Sequence, residues 1–184
     1  SDLVYRGFEW FLPVIFSKST DPLWPDPKAS IEKYIELEIY GKTVRAMSSM
    51  IVHKIVACSL AYPQLFTFSP NIRIEARERA NSGMHTYEFT QLDFEARNVT
   101  SADVRSLVEE LLCGLIISLK KRMRTELIYL GRYQSLGIPE KPFRVYDREE
   151  MENEYGKNCE TQLMLEIRNP TWTVSYTHLT LPTN

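Results

Sequence analysis

Arg73 and Glu75 close one extended run, and His85, Glu88, Phe89, Gln91 and Asp93 lie on the next. The turn between them, Ala76–Gly83, carries Arg77, Glu78 and Arg79. A guanidinium forks onto a phosphate, and an aromatic ring stacks on a base. A hairpin with an arginine on one arm and a histidine and a phenylalanine on the other therefore has the parts of a nucleotide cradle. An ordinary solvated hairpin with one charged face uses the same residue types, so the residues alone leave both readings open.

The elements that must position these side chains follow from periodicity. Gln64–Glu75 and Thr86–Ala96 read as strands. Tyr34–Tyr40 and Thr43–Met47 alternate around Gly41-Lys42, a hairpin signal. Ser49–Leu60 reads as an amphipathic helix with Ile51, Ile55 and Cys58 on one stripe. Leu3–Phe11 reads as a helix running into an extended piece that ends at Pro13, and the proline-rich Asp21–Pro27 as a loop. Ser101–Arg124 gives the clearest helix, opened by Thr100 and Asp103 in capping-box spacing. Its apolar residues Val104, Leu107, Val108, Leu111, Leu112, Leu115 and Leu119 recur at i, i+3, i+4, and Lys120, Lys121, Arg122 and Arg124 suit the end of the dipole. Met151–Tyr155 reads as a short acidic helix. The order of elements predicts an α+β fold, an antiparallel sheet flanked by helices.

Composition narrows the class. The chain has 184 residues, 43% of them hydrophobic, enough for one core. A net charge of −2 gives no basic footprint for a nucleic acid. Cys58, Cys113 and Cys159 are odd in number and far apart, and with the histidines they form neither metal-ligand spacing nor a disulfide framework. Cys58 and Cys113 lie in apolar runs and are expected to be core thiols. No apolar run reaches the roughly 18 residues needed to span a bilayer, so a soluble domain of the reducing cytoplasm is expected.

The pattern Arg73-x-Glu75 … His85-x-x-Glu88-Phe89-x-x-Leu92-Asp93-x-Glu95 resembles motif 2 of the class II aminoacyl-tRNA synthetases, in the aspartyl/asparaginyl/lysyl subgroup. The resemblance implies that Arg73 grips the ATP α-phosphate and the carboxylate being activated. It places Glu75 near the adenine edge, His85 toward the terminal phosphates and Phe89 on the adenine ring. Met84 stands where the family has an arginine. Gly7–Ile15 resembles motif 1, which builds the family's dimer interface, so a homodimer is implied. Gly41-Lys42 … Ser48-Ser49 … His53-Lys54 is similar to the aspartyl enzymes' substrate loop. This implies Lys54, with Ser49 and Gln91, in the amino-acid pocket. The implied cofactors are ATP and Mg²⁺, and the implied fold is the class II catalytic fold, incomplete because motif 3 and the acidic metal ligands are not recognisable.

Within the group, Trp10–Pro13, Thr20–Pro27 and Ser69–Arg73 look most like archaeal-type asparagine synthetases. The implied reaction activates aspartate as aspartyl-adenylate, which ammonia attacks to give asparagine, AMP and pyrophosphate. The alternatives are a piece of an aspartyl- or asparaginyl-tRNA synthetase, the only reading in which tRNA is a partner, and a non-catalytic paralogue. Val174–Asn184, VSYTHLTLPTN, resembles a translated sequencing adapter. The expected organisation is therefore a partial catalytic domain over residues 1–173 and a non-native tail over 174–184, in which His178 carries no function.

Overall fold

The computed structural model describes residues 2–18, 31–75, 77, 86–157 and 159–174. The chain divides into two compact units, Ser1–Val99 and Thr100–Asn184.

In the first unit, a short helix α1 (Asp2–Tyr5) leads into β1 (Glu9–Trp10). The helix is much shorter than the predicted Leu3–Phe11. Gly7 adopts φ +84° and turns the chain out of it, and a Cβ there would stand 2.9 Å from Gln64 Nε2. Gln64 Nε2 in turn donates to the Arg6 carbonyl at 2.8 Å. β2 (Phe16–Ser17), β3 (Ile31–Lys33), β4 (Glu36–Ile39) and β5 (Lys42–Ala46) follow. β4 and β5 form the predicted hairpin, with Ile39 opposite Lys42. Its two-residue turn is Tyr40-Gly41, both at positive φ (50° and 69°), as a twist-matched tight turn requires. Lys42 thus belongs to the strand rather than the turn.

The helix α2 (Ile51–Leu60) lies against β6 (Gln64–Ile72) and β8 (Glu88–Ala96), with β7 (Ile74–Glu75) between those strands in sequence. Of the predicted stripe, Cys58 is buried, but Ile55 is exposed. β6 and β8 pair antiparallel over their full lengths, from Gln64↔Ala96 to Ile72↔Glu88. β1 adds to β6 in parallel, Glu9 opposite Leu65. β2, β5 and β4 form a three-stranded antiparallel sheet, and β3 pairs antiparallel with β7.

Strand alternation sorts β6 into two faces. Phe66, Phe68 and Pro70 point one way. Leu65, Thr67, Ser69 and Asn71 point the other, and all four are fully buried. Three buried polar side chains in a row are the informative departure from an apolar core.

In the second unit, α3 (Ser101–Arg122) starts as predicted. Asp103 N–H donates to Thr100 Oγ1 at 3.2 Å and Thr100 N–H to Asp103 Oδ2 at 2.8 Å. The Thr100 hydroxyl also donates to Asp103 Oδ2 at 2.6 Å, and this bond first, with the one from Thr100 N–H, holds the Asp103 carboxyl below its usual range. The helix ends at Arg122, and Arg124 opens a separate turn, α4 (Arg124–Tyr129). Its buried residues are Glu109, Cys113 and Ile116, whereas Val104, Leu115 and Leu119 of the predicted stripe are exposed. The chain beyond Pro139 supplies the reason. Trp172 Nε1–H donates to Glu109 at 2.8 Å, and Cys113 Sγ–H to the Pro139 carbonyl at 3.5 Å, so the face turned to that chain is the one buried. β9 (Arg144–Asp147) and β10 (Thr171–Val174) pair in parallel. Between them stand α5 (Arg148–Tyr155), capped by Asp147 and longer than predicted, and α6 (Cys159–Glu166). Cys159 is buried beside Met151 and Leu163. Among the described residues no helix is long and apolar enough to cross a membrane.

Candidate functional site

The buried polar face of β6, the facing residues of β8 and the start of α2 form one continuous network. Register places Thr67 opposite Asp93, Ser69 opposite Gln91 and Asn71 opposite Phe89, so all six side chains share a face. Arg73 follows at the end of β6. Its backbone N–H donates to the Tyr87 carbonyl at 2.9 Å, which continues the ladder past the last strand pair.

The Arg73 guanidinium is fixed at two points. Its Cζ lies 5.0 Å from the centre of the Phe89 ring, and its Nε donates to the Ser48 carbonyl at 3.1 Å. The Nε bond leaves the two terminal nitrogens as the fork for an anion. Ser48 is itself buried, and Met47 ties this segment to β6 by accepting from Ile72 N–H at 2.8 Å. The chain therefore reaches Arg73 from two sides, and a ring and a carbonyl share the work of orienting it.

From Arg73 the network runs down the face. Asn71 Nδ2 donates to the Ser69 carbonyl (2.9 Å), to Ser69 Oγ (3.3 Å) and to Gln91 Oε1 (2.9 Å). Ser69 Oγ donates to Asp93 Oδ2 at 2.6 Å. Asp93 Oδ1 accepts from Lys54 Nζ at 3.1 Å, and Glu95 stands 3.8 Å from the same nitrogen. Thr67 Oγ1 and Asn71 Oδ1 are buried with no partner among the described residues. On α2, the residue before Lys54, His53, has its Nε2 3.2 Å from Ser17 Oγ.

Of the residues singled out in the sequence, Arg73 lies over Phe89, Phe89 and Gln91 share a face of β8, and hydrogen bonds through Asn71, Ser69 and Asp93 link Gln91 to Lys54. Ser49 sits beside this network, its Oγ accepting from Ile51 N–H at 3.2 Å to start α2. Glu75, two residues beyond Arg73, is on β7, half-buried in the pair with β3. His85, Met84, most of the charged turn Ala76–Gly83, the proline-rich Asp21–Pro27 and the tail beyond Val174 lie outside the described residues. Ser69 and Asn71 were not singled out as site residues. The signal for them was present, a polar residue at every second position of an otherwise apolar strand. Among the described residues, no group of three His, Cys, Asp or Glu is placed to hold a metal ion. Asp93 and Glu95 are instead ion-paired to Lys54, at 3.1 and 3.8 Å.

What the arrangement can do chemically is bind two kinds of anion. Arg73 beside an aromatic ring suits a nucleotide phosphate, and Lys54 suits a carboxylate. One Nζ proton goes to Asp93, Glu95 stands 3.8 Å from the same nitrogen, and an ammonium carries three donors in all.

The family model described as tRNA synthetases class II (D, K and N) matches residues 35–182. The asparaginyl-tRNA synthetase of Entamoeba histolytica superposes with a TM-score of 0.72 at 15% identity, over 94% of this chain and 40% of that one. That of Pyrococcus horikoshii, complexed with asparaginyl-adenylate, superposes with a TM-score of 0.66 at 18% identity, over 92% of this chain and 35% of that one. The chain thus spans about two fifths of the length of these structures. At such identities the likeness establishes the fold, mixed α/β with antiparallel sheets. A search of the curated proteins finds no match.

Proposed function

Because the chain belongs to the class II tRNA synthetases of the aspartyl, lysyl and asparaginyl group, we propose that the β6–β8 face is one wall of a pocket where ATP and aspartate meet. A carboxylate oxygen of aspartate attacks the α-phosphorus, pyrophosphate leaves, and aspartyl-adenylate forms. Ammonia then attacks the carbonyl carbon of this mixed anhydride and AMP departs, leaving asparagine. A carboxylate is a poor electrophile, and adenylation supplies the leaving group. The chain's own residues bind and orient. Arg73 neutralises charge building at the α-phosphate, Phe89 offers its ring to the base, and Lys54 and Gln91 meet the amino acid. Glu75 and His85 would complete the nucleotide contacts.

The observation that carries this reading is the two-point fixing of Arg73, by the ring of Phe89 and the carbonyl of Ser48. Preorganised cations are what an adenylation site needs, because they stabilise developing charge without rearranging. A second reading, a tRNA ligase charging aspartate or asparagine, draws on the asparaginyl-tRNA synthetases that share the fold. Under either reading we place a second copy of the chain against Gly7–Ile15, where Trp10, Leu12 and Ile15 are exposed, and the protein in the cytoplasm.

The test is ATP–pyrophosphate exchange by the protein that carries this chain, with aspartate or asparagine and then with ammonia or tRNA as acceptor. Aspartate-dependent exchange, and asparagine formed from ammonia, are the expected results. Exchange driven by asparagine alone, or tRNA charging without free asparagine, would favour the ligase.

Phe89 separates nucleotide from amino acid. Phe89→Leu keeps most of the buried area but loses the ring under Arg73, an effect of about 0.5–1.5 kcal/mol beyond area. The KM for ATP should rise several-fold and that for aspartate less. Equal changes in both, together with a lower melting temperature, would make Phe89 a core residue only.

A further inference from the structure

Asn71 is fully buried and touches no solvent, yet only one end of its amide is satisfied. That end is chemically identified. Its 2.9 Å partner is the Ser69 carbonyl, which can only accept, so the atom facing it is the amino nitrogen. The same nitrogen lies 2.9 Å from the Gln91 amide. The Gln91 atom facing a donor must be its oxygen. The amino end of Gln91 is thereby turned away from Asn71, and it has no hydrogen bond among the described residues. Reversing the Asn71 amide would set oxygen against the Ser69 carbonyl, so the orientation is locked.

We propose that Asn71 is a positioning residue that turns the two N–H donors of Gln91 into the amino-acid pocket, so that the pocket accepts a carboxylate there and disfavours an amide. The inference rests on the aspartate reading above and deepens it. Gln91 is linked to Lys54 through a single chain of contacts, Gln91–Asn71–Ser69–Asp93–Lys54. Both ends of that chain present donors. A side-chain carboxylate has only acceptors to offer and matches them. Asparagine would have to set its own amino group against a donor. Such a mismatch discriminates strongly, because a buried donor is left unpaired.

Three variants test this in the exchange assay. Gln91→Met keeps the length and removes the donors. It should raise the KM for aspartate about 10- to 100-fold, the size of a lost bond to a charged group, with the KM for ATP nearly unchanged. Gln91→Glu keeps the acceptor for Asn71 and presents an oxygen to the ligand. It should weaken aspartate further and strengthen asparagine as a competitor relative to aspartate. Asn71→Leu frees Gln91, and combined with Gln91→Met it should add little to the effect on aspartate. An aspartate KM left unchanged by both Gln91 variants, an effect confined to ATP, or full additivity in the double variant overturns the inference alone. Should Asn71→Leu fail to fold, Asn71→Ala removes the same amide without added bulk, and an aspartate KM unchanged in that variant overturns the inference. Absence of aspartate-dependent exchange in the unaltered protein overturns the aspartate reading and this inference with it.

Discussion

Replacing Arg73 by alanine is expected to lower aspartate-dependent ATP–pyrophosphate exchange by about 100- to 1000-fold, the usual effect of removing one preorganised charge-stabilising contact, while the protein stays folded. The side chain makes two described contacts, the stack on Phe89 and the bond from Nε to the Ser48 carbonyl. Both serve to aim the guanidinium. The backbone bond from Arg73 N–H to the Tyr87 carbonyl, which holds the strand end, survives in alanine. Losing the Nε bond should cost only about 1 kcal/mol. Rate and stability are therefore expected to separate, with a large fall in exchange and a small one in melting temperature. Arg73→Lys sharpens the test. Lysine keeps the charge but offers a point instead of a fork, and it lacks the planar group that lies on Phe89. It should recover little of the lost rate. Near-normal exchange in the alanine variant would remove Arg73 from the chemistry and with it the adenylation site. A collapse of stability in step with activity would make Arg73 a structural bond to the Ser48 segment.

Local signals in the sequence translated faithfully. The Thr100–Asp103 spacing became a reciprocal cap. The alternation around Gly41 became a hairpin, shifted by one residue because Tyr40 takes the positive φ. The two arms around Arg73 and Phe89 became β6 and β8, and their register is what sets the guanidinium over the ring. Contacts made at long range were not legible. The resemblance puts Lys54 in the amino-acid pocket, but its pairing with Asp93, 39 residues away, exists only once α2 lies against β8. The apolar stripe of α3 marks a face that is only partly covered, with Leu107, Val108, Leu111 and Leu112 half-buried, and the fully buried residues lie beside it. A polar residue, Glu109, was drawn inward by a bond to Trp172, 63 residues on, and periodicity carries no term for such a partner. Asn71 shows the same limit. Its partner across the strands, Phe89, follows from the β6–β8 register, and which end of its amide points where follows from a carbonyl two residues earlier that no composition rule sees.

Lys54→Met should produce two effects with separate causes. Lys54 and Asp93 are only 16% and 14% exposed, so the methionine leaves Asp93 with a poorly solvated charge. A fully buried broken pair costs 3–5 kcal/mol, and the residual exposure reduces that here to about 2 kcal/mol. For a chain of this length that is a fall of about 4–8 °C in melting temperature. The second effect is on binding. If the remaining Nζ protons of Lys54 meet the aspartate carboxylate, their loss removes a charge-assisted bond, and the KM for aspartate should rise by about 10- to 100-fold. The KM for ATP should change much less, because Arg73 and Phe89 are untouched. The compensating variant Lys54→Met with Asp93→Asn divides the two. An asparagine at 93 still accepts the bond from Ser69 Oγ but carries no stranded charge. Most of the lost stability should return, while aspartate binding stays weak. Recovery of the aspartate KM together with the melting temperature would show that Lys54 only holds α2 to β8. In that case the carboxylate would have to be read by Gln91 and Arg73 without a lysine.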